Sequence, residues 1–199
     1  MPDSSRPKRP RVIVTRQLMP HVEARMAELF DVALSANDRA FTGDELKAAV
    51  ADCDVFVPTV TDEIDADVLA AAGERLKLIA NFGAGVDHID LSAARAKGIM
   101  VSNTPGVFTE DTADMTMALI LSVPRRLAEG EKLMRSGQWA GWAPSAMLGH
   151  RVGGKLLGII GMGRIGLAAA RRDRAFGLSI PSHTRRRLPA ASDEEPAAS

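Results

Sequence analysis

The chain has 199 residues, and its 25 Lys+Arg balance 25 Asp+Glu, so the formal net charge is zero. That balance removes the global field that would draw a protein to nucleic acid or to an acidic membrane surface. Hydrophobic residues make up 46%, and the single cysteine, Cys53, excludes an internal disulfide and fits a reducing cytoplasm.

Residues 1–10 are basic and proline-bearing, without the apolar stretch of a signal peptide, and read as a disordered start. Short β-rich runs then alternate with helix-period segments. Val12–Thr15 reads as a strand, and Val22, Met26, Leu29 and Phe30 share one face of a helix over His21–Phe30. Asp31–Leu34 is a second strand. Thr42 is placed to cap a helix, with Asp44 and Glu45 in its first turn. Val55–Val57 is a third strand closed by Pro58, and Asp65–Ala72 is helical. Leu76–Phe82 is a fourth strand ending in the turn Gly83-Ala84-Gly85. Leu91–Lys97 is a helix stopped by Gly98, and Ile99–Ser102 is a fifth strand. This alternation predicts an α/β fold with a parallel sheet, whose functional loops follow the strands at Pro58–Asp62, Gly83–Asp87 and Asn103–Glu110.

A long helical pattern runs from about Glu110 to about Gly137, with Pro124 expected to kink it. Its apolar run, Met115–Val123, is too short to span a bilayer. Ser136–Gly154, with Trp139 and Trp142, reads as a loop. A second unit opens at Lys155. Leu156–Ile160 fits a buried parallel strand, Arg164–Phe176 a helix, and Leu178–Ile180 the start of another strand.

Between that strand and that helix stands Gly161-Met162-Gly163-Arg164-Ile165-Gly166. In this strand–turn–helix setting the spacing is that of a dinucleotide phosphate turn. Gly161 permits the tight turn, Gly163 lets the backbone approach a pyrophosphate, and Gly166 lets the helix pack on the strand. Phosphate is favoured at a helix N-terminus by its free N–H groups and dipole. Arg185 lies 19 residues after Gly166, where an NAD-preferring fold carries an acid. Arg185 and Arg186 would pair with a 2′-phosphate, so NADP is favoured over NAD.

Three stretches together resemble the D-isomer-specific 2-hydroxyacid dehydrogenase family, in its glyoxylate and hydroxypyruvate reductase branch. They are Asn81–Asp90, Asn103–Asp114 and Gly158–Gly166, and the likeness runs from about Arg11 to about Arg187. The resemblance implies a flavodoxin-like substrate domain over 11–108 and an interdomain helix and linker over 109–154. The first βαβ unit of a Rossmann cofactor domain follows over 155–187, then a disordered tail over 188–199. It implies an active site between the two domains. It gives the backbone N–H groups of Ala84, Gly85 and Val86 to the carboxylate of a small 2-oxo acid. It places Thr112 near the nicotinamide, and Met162, Arg164 and Ile165 with the three glycines around the pyrophosphate. Trp142 resembles a linker tryptophan that reaches a partner subunit, and simple packing is the alternative reading for both tryptophans.

The family's catalytic arginine, histidine and orienting carboxylate all lie later in the cofactor domain, beyond this chain. None of His21, His88, His150 and His183 matches the catalytic histidine, and His88 belongs to the structural motif of the carboxylate loop. Pro181 is unexpected in the second Rossmann strand. The expectation is therefore a truncated chain, inactive alone, that lacks most of the domain through which the family dimerises. The alternative is a non-enzymatic NAD(P)-binding interaction module of the same lineage.

Overall fold

The computed structural model describes residues 9–183, and the chain divides at Pro105 into two compact units. The expected disordered start, Arg185, Arg186 and the tail over 188–199 lie outside the described residues, save for residues 9 and 10.

Unit 1 alternates β1 (Arg11–Val14), α1 (Pro20–Leu29), β2 (Asp31–Ala33), α2 (Gly43–Asp52), β3 (Val55–Val57), α3 (Ala66–Ala70), β4 (Leu78–Ala80), α4 (Leu91–Ala96) and β5 (Met100–Ser102). The strands form one parallel sheet in the order β2-β1-β3-β4-β5, the flavodoxin-like arrangement expected from the sequence. The period of two along β1 sends Ile13 to one face and Val12 and Val14 to the other. Ile13, Phe56 and Ile79 meet Leu46 and Val50 of α2, Leu69 of α3 and Ala94 of α4. Val12, Val14 and Val57 meet Met26 and Phe30, whereas Leu29 is exposed and drops out of the expected α1 face.

Helix starts in unit 1 are written locally. The Thr42 hydroxyl accepts from the Glu45 N–H at 3.3 Å, and the Glu45 carboxylate accepts from the Thr42 N–H at 2.7 Å. Arg39 holds the Glu45 carboxyl down at about 2, with the Thr42 N–H assisting. Thr42→Ala is expected to cost about 1 kcal/mol, read as an earlier urea midpoint. A depressed carboxylate stabilises the fold above its ordinary pKa, so the contribution of Glu45 fades as pH falls from 4.5 toward about 2.

Unit 2 contains α5 (Thr109–Ser122), α6 (Leu127–Arg135), β6 (Ile159–Ile160), α7 (Arg164–Ala175) and β7 (Ser182–His183). Small residues let α5 and α7 approach closely through Ala113, Ala168 and Ala169. Arg172 then ties the pair together by reaching Glu110 at 2.9 Å and Asp114 at 2.6 Å.

Three expectations change here. The long helix is broken at Pro124 rather than kinked, because Arg126 turns left-handed at φ 55° and restarts the chain as α6. Glu129 and the Leu148 carbonyl hold the Arg126 guanidinium in that conformation. The second strand of the unit begins pairing at Ser179, whose carbonyl accepts from the Leu157 N–H at 2.9 Å, but is regular only at Ser182–His183. Pro181 is compatible with pairing because it serves as an acceptor, taking the Ile159 N–H at 3.1 Å. Finally, the apolar run before the glycine turn is not buried. Leu156 is 74% exposed and Ile160 91%, since no other described strand flanks β6. No described helix is long and apolar enough to cross a membrane.

Candidate functional site

In unit 1 the Gly83–Asp87 loop leaves the carboxyl end of β4, and two asparagines shape it. Asn81 is 3% exposed, and its Nδ2 donates to the carbonyls of Gly83 at 3.2 Å and Gly85 at 2.8 Å. Asn103, just past β5, donates its Nδ2 to the Ala84 carbonyl at 2.7 Å. The Thr104 N–H also reaches the Gly83 carbonyl, at 3.0 Å. In a trans peptide the carbonyl of one residue and the N–H of the next point in opposite directions. Capturing the carbonyls of 83, 84 and 85 therefore turns the N–H groups of Ala84, Gly85 and Val86 the other way. Among the described residues none of those three N–H groups has a hydrogen-bond acceptor. Consecutive free backbone N–H groups make an anion-binding concavity.

The glycines of this loop serve different ends. A Cβ on Gly83 would meet Val60 Cγ1 at 3.0 Å, so this position is closed by packing. A Cβ on Gly85 would meet nothing nearer than Asp87 Oδ2 at 3.6 Å, so its glycine leaves backbone open to a ligand. His88 folds back on the loop, with Nε2 3.0 Å from Asn81 Oδ1. Asn81 and Asn103 sit in stretches that the sequence singled out, but their holding role was not read there. The signal was an asparagine at the carboxyl end of each of two neighbouring strands. At the adjoining switch point, buried Asp62 accepts from the Thr15 hydroxyl at 2.5 Å and the Thr59 N–H at 2.8 Å, pinning the loops after β1 and β3.

In unit 2 the three glycines of the turn sit in three different settings. Gly161 has φ +96°, which a side chain would strain. A Cβ on Gly166 would lie 2.3 Å from the Gly161 carbonyl oxygen, so this helix position tolerates hydrogen alone. Gly163 caps α7 and has nothing within 4 Å of a Cβ, which leaves the helix mouth open. The N–H groups of Arg164, Ile165 and Gly166 head α7 without a capping side chain. Met162 is buried beneath the turn, whereas Arg164 and Ile165 are exposed around it. The turn thus presents backbone N–H groups at the open head of a 12-residue helix, a setting that favours an anion.

Thr112 lies on the exposed side of α5, its carbonyl accepting from the Thr116 hydroxyl at 2.7 Å. Thr116 and Ile120, rather than Thr112, border a cavity of about 330 Å³ with Gly161, Ile165, Gly166 and Asp173. Asp173, unremarked in the sequence, is 1% exposed, and burial raises its pKa. Trp142 is 84% exposed, which removes simple packing as its role within the described residues. Cys53 is no nucleophile, because burial pushes its thiol up to about 12. No group of three or more described His, Cys, Asp or Glu could hold a metal.

Matches to known proteins cover both units. A family model described as "D-isomer specific 2-hydroxyacid dehydrogenase, catalytic domain" matches residues 12–195. A glyoxylate reductase of Thermococcus litoralis is 40% identical over 190 residues, covering 94% of this chain and 57% of the relative. The TT0316 protein of Thermus thermophilus superposes with a TM-score of 0.82 at 44% identity, over 90% of this chain and 57% of that one. An NADPH-dependent glyoxylate/hydroxypyruvate reductase of Sinorhizobium meliloti, solved with NADP and malonate, gives 0.74 at 37% identity, over 91% and 55%. The chain therefore spans somewhat more than half the length of these relatives. It belongs to the D-isomer-specific 2-hydroxyacid dehydrogenase family.

Proposed function

We propose that this chain carries the substrate-carboxylate loop and the dinucleotide phosphate turn of a reductase acting on small 2-oxo acids of the glyoxylate or hydroxypyruvate type. The observation that carries the reading is the release of the Ala84, Gly85 and Val86 N–H groups by Asn81 and Asn103. A glycine turn alone serves many dinucleotide proteins, whereas three free N–H groups select an anion the size of a carboxylate.

The bound nicotinamide supplies the hydride. The chain's own residues do the holding. Arg164, Ile165 and Gly166 offer N–H groups to the pyrophosphate, and Arg164 adds a positive charge there. Thr112, exposed on α5, is assigned to the nicotinamide end. Arg185 and Arg186 are assigned to the 2′-phosphate, which makes NADP the preferred form; the NADP-bound Sinorhizobium relative supports that choice. Trp142 is exposed and is assigned to a homodimer contact of the whole enzyme.

No histidine of this chain is assigned to proton transfer, since His88 spends its Nε2 on Asn81. The 199-residue chain alone is therefore expected to bind cofactor without turnover. The test is a fluorescence titration with NADPH and NADH, run beside a glyoxylate-dependent NADPH oxidation assay. Tighter binding of NADPH without oxidation supports the reading. NADH binding as tight as NADPH removes the assignment of Arg185 and Arg186, and steady turnover removes the claim of inactivity.

A further inference from the structure

We infer that His88 is a positioning residue for the carboxylate loop, holding the Asn81 amide in the orientation that releases the Ala84 and Val86 N–H groups. The inference rests on the reading of residues 84–86 as the carboxylate site.

An asparagine amide has two ends of similar shape, and a rotation of its last bond exchanges them. Here the exchange is forbidden on one side. The Gly83 and Gly85 carbonyls can only accept, so the end of Asn81 that meets them at 3.2 and 2.8 Å must be the NH2. The other end, Oδ1, is then an acceptor 3.0 Å from His88 Nε2. An acceptor needs a donor, so His88 Nε2 carries a hydrogen. In the neutral ring this fixes the Nε2–H tautomer and leaves Nδ1 bare.

The His88 backbone is anchored to bear that load. Its carbonyl accepts from the Ile64 N–H at 2.7 Å, and the next residue, Ile89, donates to the Val86 carbonyl at 3.0 Å. The imidazole thus bridges from the far end of the loop back to its base. Without its donor, Asn81 Oδ1 is left buried and unpaired, a state that costs more than a solvated hydrogen bond returns. Relief comes from turning the amide, and turning it sets Oδ1 against the Gly83 and Gly85 carbonyls. The Gly85–Val86 peptide then rotates and takes the Val86 N–H with it, and the Gly83–Ala84 peptide, still bonded to the Thr104 N–H at 3.0 Å, is displaced by the repulsion. His88 therefore acts through Asn81 and need not touch the substrate.

Long-range proton–nitrogen NMR on the full chain, at a pH where the imidazole is neutral, reads the tautomer directly. Hydrogen on Nε2 is expected, and a bare Nε2 overturns the inference whether or not any variant folds. The backbone amide resonances of Ala84 and Val86 are then compared in wild type, His88→Gln and His88→Leu, each with and without oxamate. Gln can donate to Oδ1 and is expected to keep both resonances and to bind oxamate within about threefold of wild type. Leu is expected to shift both resonances in the free protein and to weaken oxamate by at least about tenfold. Unchanged resonances and unchanged binding in His88→Leu overturn the inference. Should wild type show no response to oxamate while His88→Leu still moves the free resonances, the carboxylate reading fails and the His88–Asn81 hold stands.

Discussion

Gly166→Ala lowers the melting temperature of unit 2 and weakens NADPH binding by at least about tenfold, the equivalent of about 1.4 kcal/mol. The cause is steric and lies in the backbone. The added methyl would sit 2.3 Å from the Gly161 carbonyl oxygen and 3.5 Å from Ile159 Cγ2. A carbonyl oxygen has no rotamer with which to step aside, so α7 must slide off β6 or the turn must open. Forcing an extra methyl into such a contact costs about 1–3 kcal/mol. The same shift moves the N–H groups at the head of α7 away from the phosphate they are proposed to hold. Gly163→Ala is the matched control. Its φ of −81° suits alanine, and nothing lies within 4 Å of the new methyl. It is expected to leave the melting temperature unchanged or slightly raised, because alanine narrows the unfolded ensemble. Its methyl stands on the open side of the turn, so NADPH affinity still falls. Thermal melts and NADPH titrations on both variants separate the roles. A Gly166→Ala protein with wild-type stability would contradict the packing argument, and a Gly163→Ala protein with wild-type affinity would contradict phosphate approach at that glycine.

Gly161 and Gly166 were readable in the sequence because each answers a constraint made by its close neighbours in the chain. The Thr42–Glu45 cap and the left-handed Gly98, at φ +70°, are local in the same way. The parallel sheet was readable for a different reason, while its flavodoxin-like order came only from the family resemblance. Alternating short apolar runs and helices predict parallel strands, and the loops at their carboxyl ends follow from that. What escaped is what depends on partners far along the chain. Asn103 meets Ala84 only because β4 and β5 are neighbours in the sheet, and Asn81 needs the turn already formed before its amide finds two carbonyls. The break at Pro124 escaped because proline alone allows either a kink or an end. Glu129 and the Leu148 carbonyl, by fixing Arg126, decide for the end. Leu156 and Ile160 read as buried because their apolar character reports the burial a strand is built for. In the structure their neighbours among the described residues are too few to supply it.

Asp173 was also within reach of the sequence, since Gly166, Ala169, Ala170 and Asp173 follow the spacing of one helix face. Its burial makes it the clearest target for stabilising unit 2. The residue is 1% exposed, and among the described residues neither carboxylate oxygen has a hydrogen-bond partner. The neighbouring Arg172 does not help, because its guanidinium is committed to Glu110 and Asp114 on α5. The cavity beside Asp173 is lined by Ile120, Leu157, Ile159 and Ile165, which suit an apolar side chain. Asp173→Leu is therefore expected to stabilise unit 2 by about 1–3 kcal/mol near neutral pH, by removing an unpaired buried polar group and filling apolar space. The sign of its pH dependence follows from the raised pKa. Folded protein holds the Asp173 proton more tightly than unfolded protein does. Wild-type stability therefore falls as pH climbs from the ordinary value of 3.8 through the raised folded value, and this loss is complete above it. The leucine variant has no proton to lose at this position. The difference in melting temperature between variant and wild type should accordingly be small in acid and widen toward neutral pH. Melting curves for both proteins across that range decide the matter. A gap that stays constant with pH, or a variant no more stable than wild type at neutral pH, would show that the Asp173 carboxylate finds a partner in solution.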